Sequence, residues 1–284
     1  MRSAGRSVRE RARENVREHL PVLVLAALLL TVWEGAARLL SIPKYLLPAP
    51  SLVIGALQDA SGVLLGVHTP VTLAEAGLGL LMATTTGVVA GAVVHLFPLV
   101  RRACYPLIVV SQTVPVIVLA PLLVIWFGYG LLPKLLVVTI ACFFPVAVAV
   151  VDGLDRAERN MLKLLRSMGA RPWQEFMLVK VPAALPSFFT GLRVAATYGV
   201  MAAVIAEWMG ADAGLGVYIV RSAHSFRTEY VFAGIALVTL YSILTFLLVG
   251  TVRRVVLPWE RFVSEGEGRR ADEPRRAAGR ELSL

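Results

Sequence analysis

Apolar residues gather along this chain in long runs rather than in alternation. Six runs are each about long enough to cross a bilayer, near Leu20–Leu40, Val71–Phe97, Cys104–Phe127, Leu131–Val151, Leu185–Met209 and Val231–Val252. About 20 such residues, rising about 1.5 Å each in a helix, cross about 30 Å of hydrocarbon. None shows the period of two that a transmembrane strand imposes. The pattern predicts an all-α fold, a polytopic membrane helical bundle of six transmembrane helices over residues 20–255. A basic N-terminal segment (1–19) precedes it and a charged tail (256–284) follows. The tail is polar and charge-rich and is expected to be disordered. Val8–His19 reads equally as a basic amphipathic helix on the membrane surface or as a disordered arm.

Six is an even number, so both termini share one side. The Lys and Arg residues choose it: 22 of the 28 fall in the N-terminal segment, the second-to-third loop, the fourth-to-fifth loop and the region from Arg253 onward. Positive loops stay inside, so both termini and the fourth-to-fifth loop are expected on the cytoplasmic face. The first run is too long for a secretory h-region and no small-residue cleavage pattern closes it.

Composition sharpens this. The 284 residues are 57% hydrophobic and 17% charged, with a mean hydropathy of +0.72 and a net charge of +9. A soluble domain is nearer to about 25% charged. The basic surplus flanks membrane runs, which accounts for it through the lipid bilayer and without nucleic acid. Cys104 and Cys142 lie in apolar runs and form no disulfide framework.

Familiar chemistry is missing. The chain has no G-x-x-x-x-G-K-[ST] phosphate loop, H-E-x-x-H, C-x-x-C or G-x-S-x-G, and its four His carry no ligand spacing. No catalytic residue, bound cofactor or metal is expected. Gly87 and Gly91 form a G-x-x-x-G suited to close helix packing. Glu34 and Arg38, four apart, are expected to pair. A self-sufficient channel or secondary transporter would want paired carboxylates within spans, and the chain offers little beyond Glu34, Glu75 and Glu207.

The fourth-to-fifth loop, 152–182, reads as helix–turn–helix. Asp155, Ala157 and Glu158 suit a helix start. Met161, Leu162, Leu164, Leu165 and Met168 recur at helical spacing, and Gly169 fits a left-handed stop. Arg171-Pro172-Trp173 opens a second short helix. Its apolar face, Trp173, Phe176, Met177 and Val179, fits a partner's groove or the chain's own bundle.

The loop resembles the cytoplasmic signature of ABC-importer permeases: E-A-A, three residues, Gly, nine residues, Ile, one residue, Leu-Pro. Here Gly169, Val179 and Val181-Pro182 keep their places, while Lys163-Leu164-Leu165 replace the E-A-A. Leu46–Ser51, Gln112–Pro115, Pro121–Gly128, Pro182–Pro186, Ala206–Gly210 and Gly214–Gly216 resemble the nitrate/sulfonate/taurine class of these permeases. Gln112–Pro115, Ala196–Tyr198 and Ala206–Gly210 are nearest to members for thiamine-pyrimidine precursors or riboflavin.

The resemblance implies a type I ABC-importer permease fold in a bacterial inner membrane. It implies a homodimer of permeases, a cytoplasmic ABC ATPase subunit that uses ATP and magnesium, and an extracytoplasmic solute-binding protein meeting 41–69 and 211–229. It further implies that Arg166, Ser167, Met168, Gly169, Ala170, Arg171, Pro172 and Trp173 form the coupling segment, with Met168 and Trp173 as anchors and Arg166 and Arg171 as rim charges. A membrane-interface role for Trp173 stays open. The translocation path is expected along the third and fifth spans. Pro106, Pro115 and Pro121 free carbonyls in the third, and Ser111, Gln112, Thr113, Tyr198 and Glu207 are the candidates to line it. The first three fit interhelical bonding, or re-satisfying those carbonyls, equally well. Glu207 fits pairing with Arg221 or Arg227, Tyr198 fits packing, and Ala213–Gly216 reads as a flexible turn.

Overall fold

The computed structural model describes residues 8–259, with side chains from Leu20 onward apart from Leu23. Their regular elements are all helices: α1 (Val8–Leu39), α2 (Pro50–Asp59), α3 (Ser61–Leu96), α4 (Pro98–Ser111), α5 (Val116–Phe127), α6 (Leu131–Asp155), α7 (Arg159–Ser167), α8 (Pro172–Glu207), α9 (Leu215–His224) and α10 (Thr228–Val256). Single π-helical turns, Leu64–His68 and Phe176–Lys180, lie inside α3 and α8. The part of α1 from Leu20, with α3, α6, α8 and α10, is long and apolar enough for five crossings. The remaining run, third in the sequence, takes α4 and α5 together.

That run departs from the expected single helix over Cys104–Phe127. α4 and α5 meet at 102°, around Gln112–Pro115. Pro115 has no N–H to continue the ladder, and its ring pushes Val114 out of the helical region. The chain tightens instead, Thr113 N–H donating to Val110 at 3.0 Å and Val114 N–H to Ser111 at 3.2 Å, before Pro115 opens α5. Pro106 and Pro121 are carried within α4 and α5, so only one of the three prolines breaks the run.

Helix α6 is the centre of the bundle, clasped between α3 and α8. Without a hydrophobic drive between helices in lipid, close approach depends on small residues. Gly79, Ala83, Gly87 and Gly91 repeat every fourth position on α3. A Cβ at Gly87 or Gly91 would lie 3.0 or 2.8 Å from the side chains of Val146 and Val150. The expected packing role of Gly87 and Gly91 therefore holds, and Gly79 extends it against Val138. On the other side, Gly191 of α8 admits Ala149 and the Pro145 carbonyl. Val138, Cys142, Val146, Ala195 and Ala203 are fully buried between these helices.

The periphery is looser. α4 buries no residue and α5 only Ala120 and Leu123, leaving Leu107, Val110, Ile125 and Trp126 exposed. Glu34 and Arg38 pair as expected. Ser51, in the first turn of α2, donates its amide to Glu34 (3.0 Å) and accepts from Arg38 (2.9 Å), so the pair ties α1 to the start of α2. Arg193, in the middle of α8, stacks its guanidinium 3.9 Å from the Phe246 ring centroid.

Candidate functional site

The 152–182 loop begins a few residues later than expected. Asp155 is the last residue of α6, and α7 starts at Arg159. Its far end matches the expectation. Gly169 takes φ +82°, Ala170 N–H reaches back to the Leu165 carbonyl at 3.0 Å, and Gly169 N–H reaches that of Arg166 at 3.0 Å. This pair of bonds is a Schellman stop, which needs a left-handed residue where a Cβ costs about 1–2 kcal/mol. Pro172 then starts the next turn, with Arg171 N–H held by the Gln174 side chain at 2.7 Å.

A bidentate ion pair closes the turn. Arg166 Nε and one terminal nitrogen donate to the two oxygens of Glu175, each at 2.9 Å. These bonds hold the Glu175 carboxyl below the ordinary carboxylate range and the Arg166 guanidinium above its own. Arg166, its side chain still 66% exposed, is engaged within the loop by Glu175, a residue absent from the sequence-based candidates. Met161, Leu164, Met168 and Trp173 remain exposed, Met168 at 74% and Trp173 at 65%. Their apolar surface does not pack on this chain's own bundle.

The break between α4 and α5 opens two adjoining cavities. One, of about 310 Å³, is lined by Gln112, Val114 and Val116, by Ala141, Phe144 and Pro145 of α6, and by Tyr198, Met201, Ala202 and Ile205 of α8. It has no charged wall residue. The second, of about 580 Å³, shares Gln112, Pro145 and Tyr198 and adds polar residues toward the 152–182 loop, among them Asp152, Arg156, Ser187, Thr190 and Arg253. Gln112 and Tyr198 therefore stand at the junction of the two.

Ser111 and Thr113 line neither cavity. Their hydroxyls donate to the Ile108 and Val110 carbonyls at 2.8 Å each, which satisfies carbonyls beside the break. Glu207 lies elsewhere too, fully buried at the end of α8. Its carboxylate accepts the Thr72 hydroxyl at 2.6 Å and the Gly216 amide at 2.5 Å. Thr72 in turn accepts the Leu215 amide at 2.8 Å, and His68 Nδ1 accepts the Gly214 amide at 3.0 Å. Three successive amides at the start of α9 are thus taken by three buried side chains. A helix start has unpaired donors and a positive dipole end, so a buried carboxylate is well placed there. A Cβ on Gly214 would strike the Glu207 carboxylate, and one on Gly216 the Val204 carbonyl. The Ala213–Gly216 stretch expected as a flexible turn is an anchored cap, and Glu207 bonds neither Arg221 nor Arg227. Nearby, Glu75 accepts from Lys134 at 2.7 Å.

Residues 83–260 match the family described as binding-protein-dependent transport system inner membrane component. The chain belongs to this family of ABC-importer permeases. It is 39% identical over 234 residues to the formylaminopyrimidine transport permease protein of Halalkalibacterium halodurans, covering 82% of this chain and 93% of that one. It is 35% identical over 240 residues to the taurine transport system permease protein of Escherichia coli, covering 82% and 87%. A solved structure of the MetNI methionine ABC transporter in an inward-facing conformation aligns with TM-score 0.58 at 19% identity, over 65% of this chain and 92% of that one. That likeness shows the type I importer fold. In this permease Glu207 of the Ala206–Gly210 motif and the glycines of Gly214–Gly216 meet at one buried cap.

Proposed function

We propose that this permease carries a small, uncharged heterocycle, of the thiamine-pyrimidine-precursor or riboflavin kind, inward across the bacterial inner membrane. The observation that carries this reading is the 310 Å³ cavity, which offers the Gln112 amide, the Tyr198 and Phe144 rings and apolar walls, with no cation to neutralise an anion. A flat heterocycle gains from aromatic faces and one positioned amide. A sulfonate, taurine or nitrate would find no cation on the walls of this compartment, the nearest being Arg156 and Arg253 of the adjoining one. The similarity to a formylaminopyrimidine permease supports the same choice.

In this reading two copies enclose the path, and a separate ATPase supplies ATP and magnesium chemistry. Met168 and Trp173 seat in a groove of that ATPase, and a solute-binding protein delivers cargo at the opposite end. The surplus of Lys and Arg in these segments supports a cytoplasmic position for both termini and the 152–182 loop. Closure of the ATPases shifts the loops as rigid bodies and alternates access to the cavity.

The test is uptake into liposomes holding the permease with its ATPase and binding protein. ATP-dependent accumulation of labelled formylaminopyrimidine or riboflavin, with taurine left outside, is the expected result. Uptake of taurine alone would overturn the substrate reading and leave the family membership intact.

A further inference from the structure

A polar chain centred on the buried side chain of His95 runs across the loop end of the bundle and touches four elements. His95, near the end of α3, is 9% exposed at its side chain. Its Nδ1 lies 2.8 Å from Asp155 Oδ1 at the end of α6, and its Nε2 lies 2.9 Å from Lys180 Nζ. An ammonium only donates, so Nε2 accepts and Nδ1 carries the proton, donated to Asp155. The neighbours on both sides thus select one neutral tautomer. Asp155 also receives a fork from Arg101 of α4, at 2.9 and 2.5 Å. One turn further along α4, Tyr105 donates to Asp152 at 3.2 Å.

The two ends of this chain lie on unlike supports. Lys180 closes the π turn through which the 152–182 loop enters α8. Arg101 sits on α4, a helix that buries no residue of its own. Helices α3, α6 and α8 are locked by interdigitated small residues, whereas α4 has the Arg101 fork as its strongest polar hold on them. Gln112, on the junction of the two cavities, is the C-cap of α4. From Arg101 to Gln112 the helix is a lever of about 16 Å.

We propose that Lys180, His95, Asp155 and Arg101 are positioning residues that carry a displacement of the 152–182 loop to α4, and so to Gln112 in the cavity wall. The inference rests on the loop's docking to an ATPase. Hydrogen bonds of this kind are made or broken in discrete steps, which suits an element with two arrangements. The charges facing His95 are Lys180, Asp155 and Arg101, with Asp152 beyond Tyr105; none belongs to α3 itself, so the chain couples separate elements.

The test uses the permease–ATPase complex in nanodiscs, with Gln112→Cys as a reporter in a Cys104→Ser, Cys142→Ala background. Maleimide labelling of the reporter is timed with and without ATP plus vanadate. With the relay intact, trapping changes the labelling rate about fivefold or more, the usual scale of coupling between sites. Lys180→Met abolishes that response while ATPase binding and vanadate trapping persist, and Lys180→Arg, which keeps a donor, restores it. Arg101→Gln, at the half-exposed far end, gives the same loss without disturbing the buried His95. A full response in Lys180→Met and Arg101→Gln overturns the relay. An ATPase that does not bind even the reporter chain overturns the docking reading and the relay with it.

Discussion

Thr72 and Glu207, 135 positions apart, are joined by a 2.6 Å hydrogen bond in the buried cap of α9. Thr72 donates to the carboxylate and accepts from Leu215, so one hydroxyl serves both partners. Thr72→Val keeps the shape and removes both roles, leaving an amide and a carboxylate short of a partner at a cost of about 1–3 kcal/mol each. The purified protein is expected to melt several degrees lower. Glu207→Gln, which still offers an oxygen to Gly216, should lose less than Glu207→Ala. Reduced transport in Glu207→Ala with unchanged melting would instead return Glu207 to the path.

Arg166 and Glu175 form a second closed pair, and either partner alone is expected to be as damaging as both. Arg166→Ala, Glu175→Gln and the double variant should weaken ATPase co-purification equally, because each opens the same turn. Since Arg166 lowers the Glu175 carboxyl below its ordinary value of 4.5, the pair is complete above that pH. Its contribution fades only as pH falls through the lowered value. ATPase retention by Glu175→Gln should show no such acid-dependent loss.

Trp173 is exposed on the same loop and touches no core. Trp173→Glu should therefore leave the melting temperature of the permease unchanged while abolishing ATPase retention, since a buried aromatic anchor is worth about 2 kcal/mol or more at an interface. A drop in melting temperature without loss of the ATPase would mean that the ring packs on lipid or on the bundle instead.

These elements differ in how far the amino-acid order reveals them. Long apolar runs and basic loops are local patterns, so the helical bundle and the loop with its Gly169 stop were legible. The family motifs were equally legible as strings. Their geometry was not: Glu207 with Gly214–Gly216 looks like an ionisable residue near a turn until Thr72 and His68, from another helix, arrive beside them. The bend at Gln112–Pro115 had its cause in plain view in Pro115, yet Pro106 and Pro121 carry the same local signal and remain helical. The partners of His95 and Lys180 had no signal, because they come from 60 and 85 positions away, and Glu175 meets Arg166, nine positions before it, only because the Gly169 turn folds the loop back.

The α3–α6 contact gives a stability prediction with a built-in control. Gly87→Val and Gly91→Val each force a branched side chain against Val146 or Val150, at about 1–3 kcal/mol for overpacking. Gly77→Ala, on the same helix with open space around its Cβ, should be neutral or slightly stabilising through helix propensity. Thermal unfolding in detergent separates the three variants.

Tyr198 provides the sharpest check on the cavity, because its ring is half exposed and lines both compartments. Stacking of a heterocycle on an aromatic ring is worth about 1–3 kcal/mol. Tyr198→Ala should therefore lower the uptake rate at limiting substrate by about tenfold or more while the ATPase stays bound, since the residue contributes little to the core. Tyr198→Phe keeps the ring face and should stay within a few-fold of the unsubstituted protein. If Phe fails as badly as Ala, the hydroxyl rather than the ring makes the contact, and a hydrogen-bonding solute without an aromatic face becomes the better reading of the cavity. If both variants transport normally, the solute passes Gln112 without touching Tyr198, and the α8 wall of the cavity is only packing.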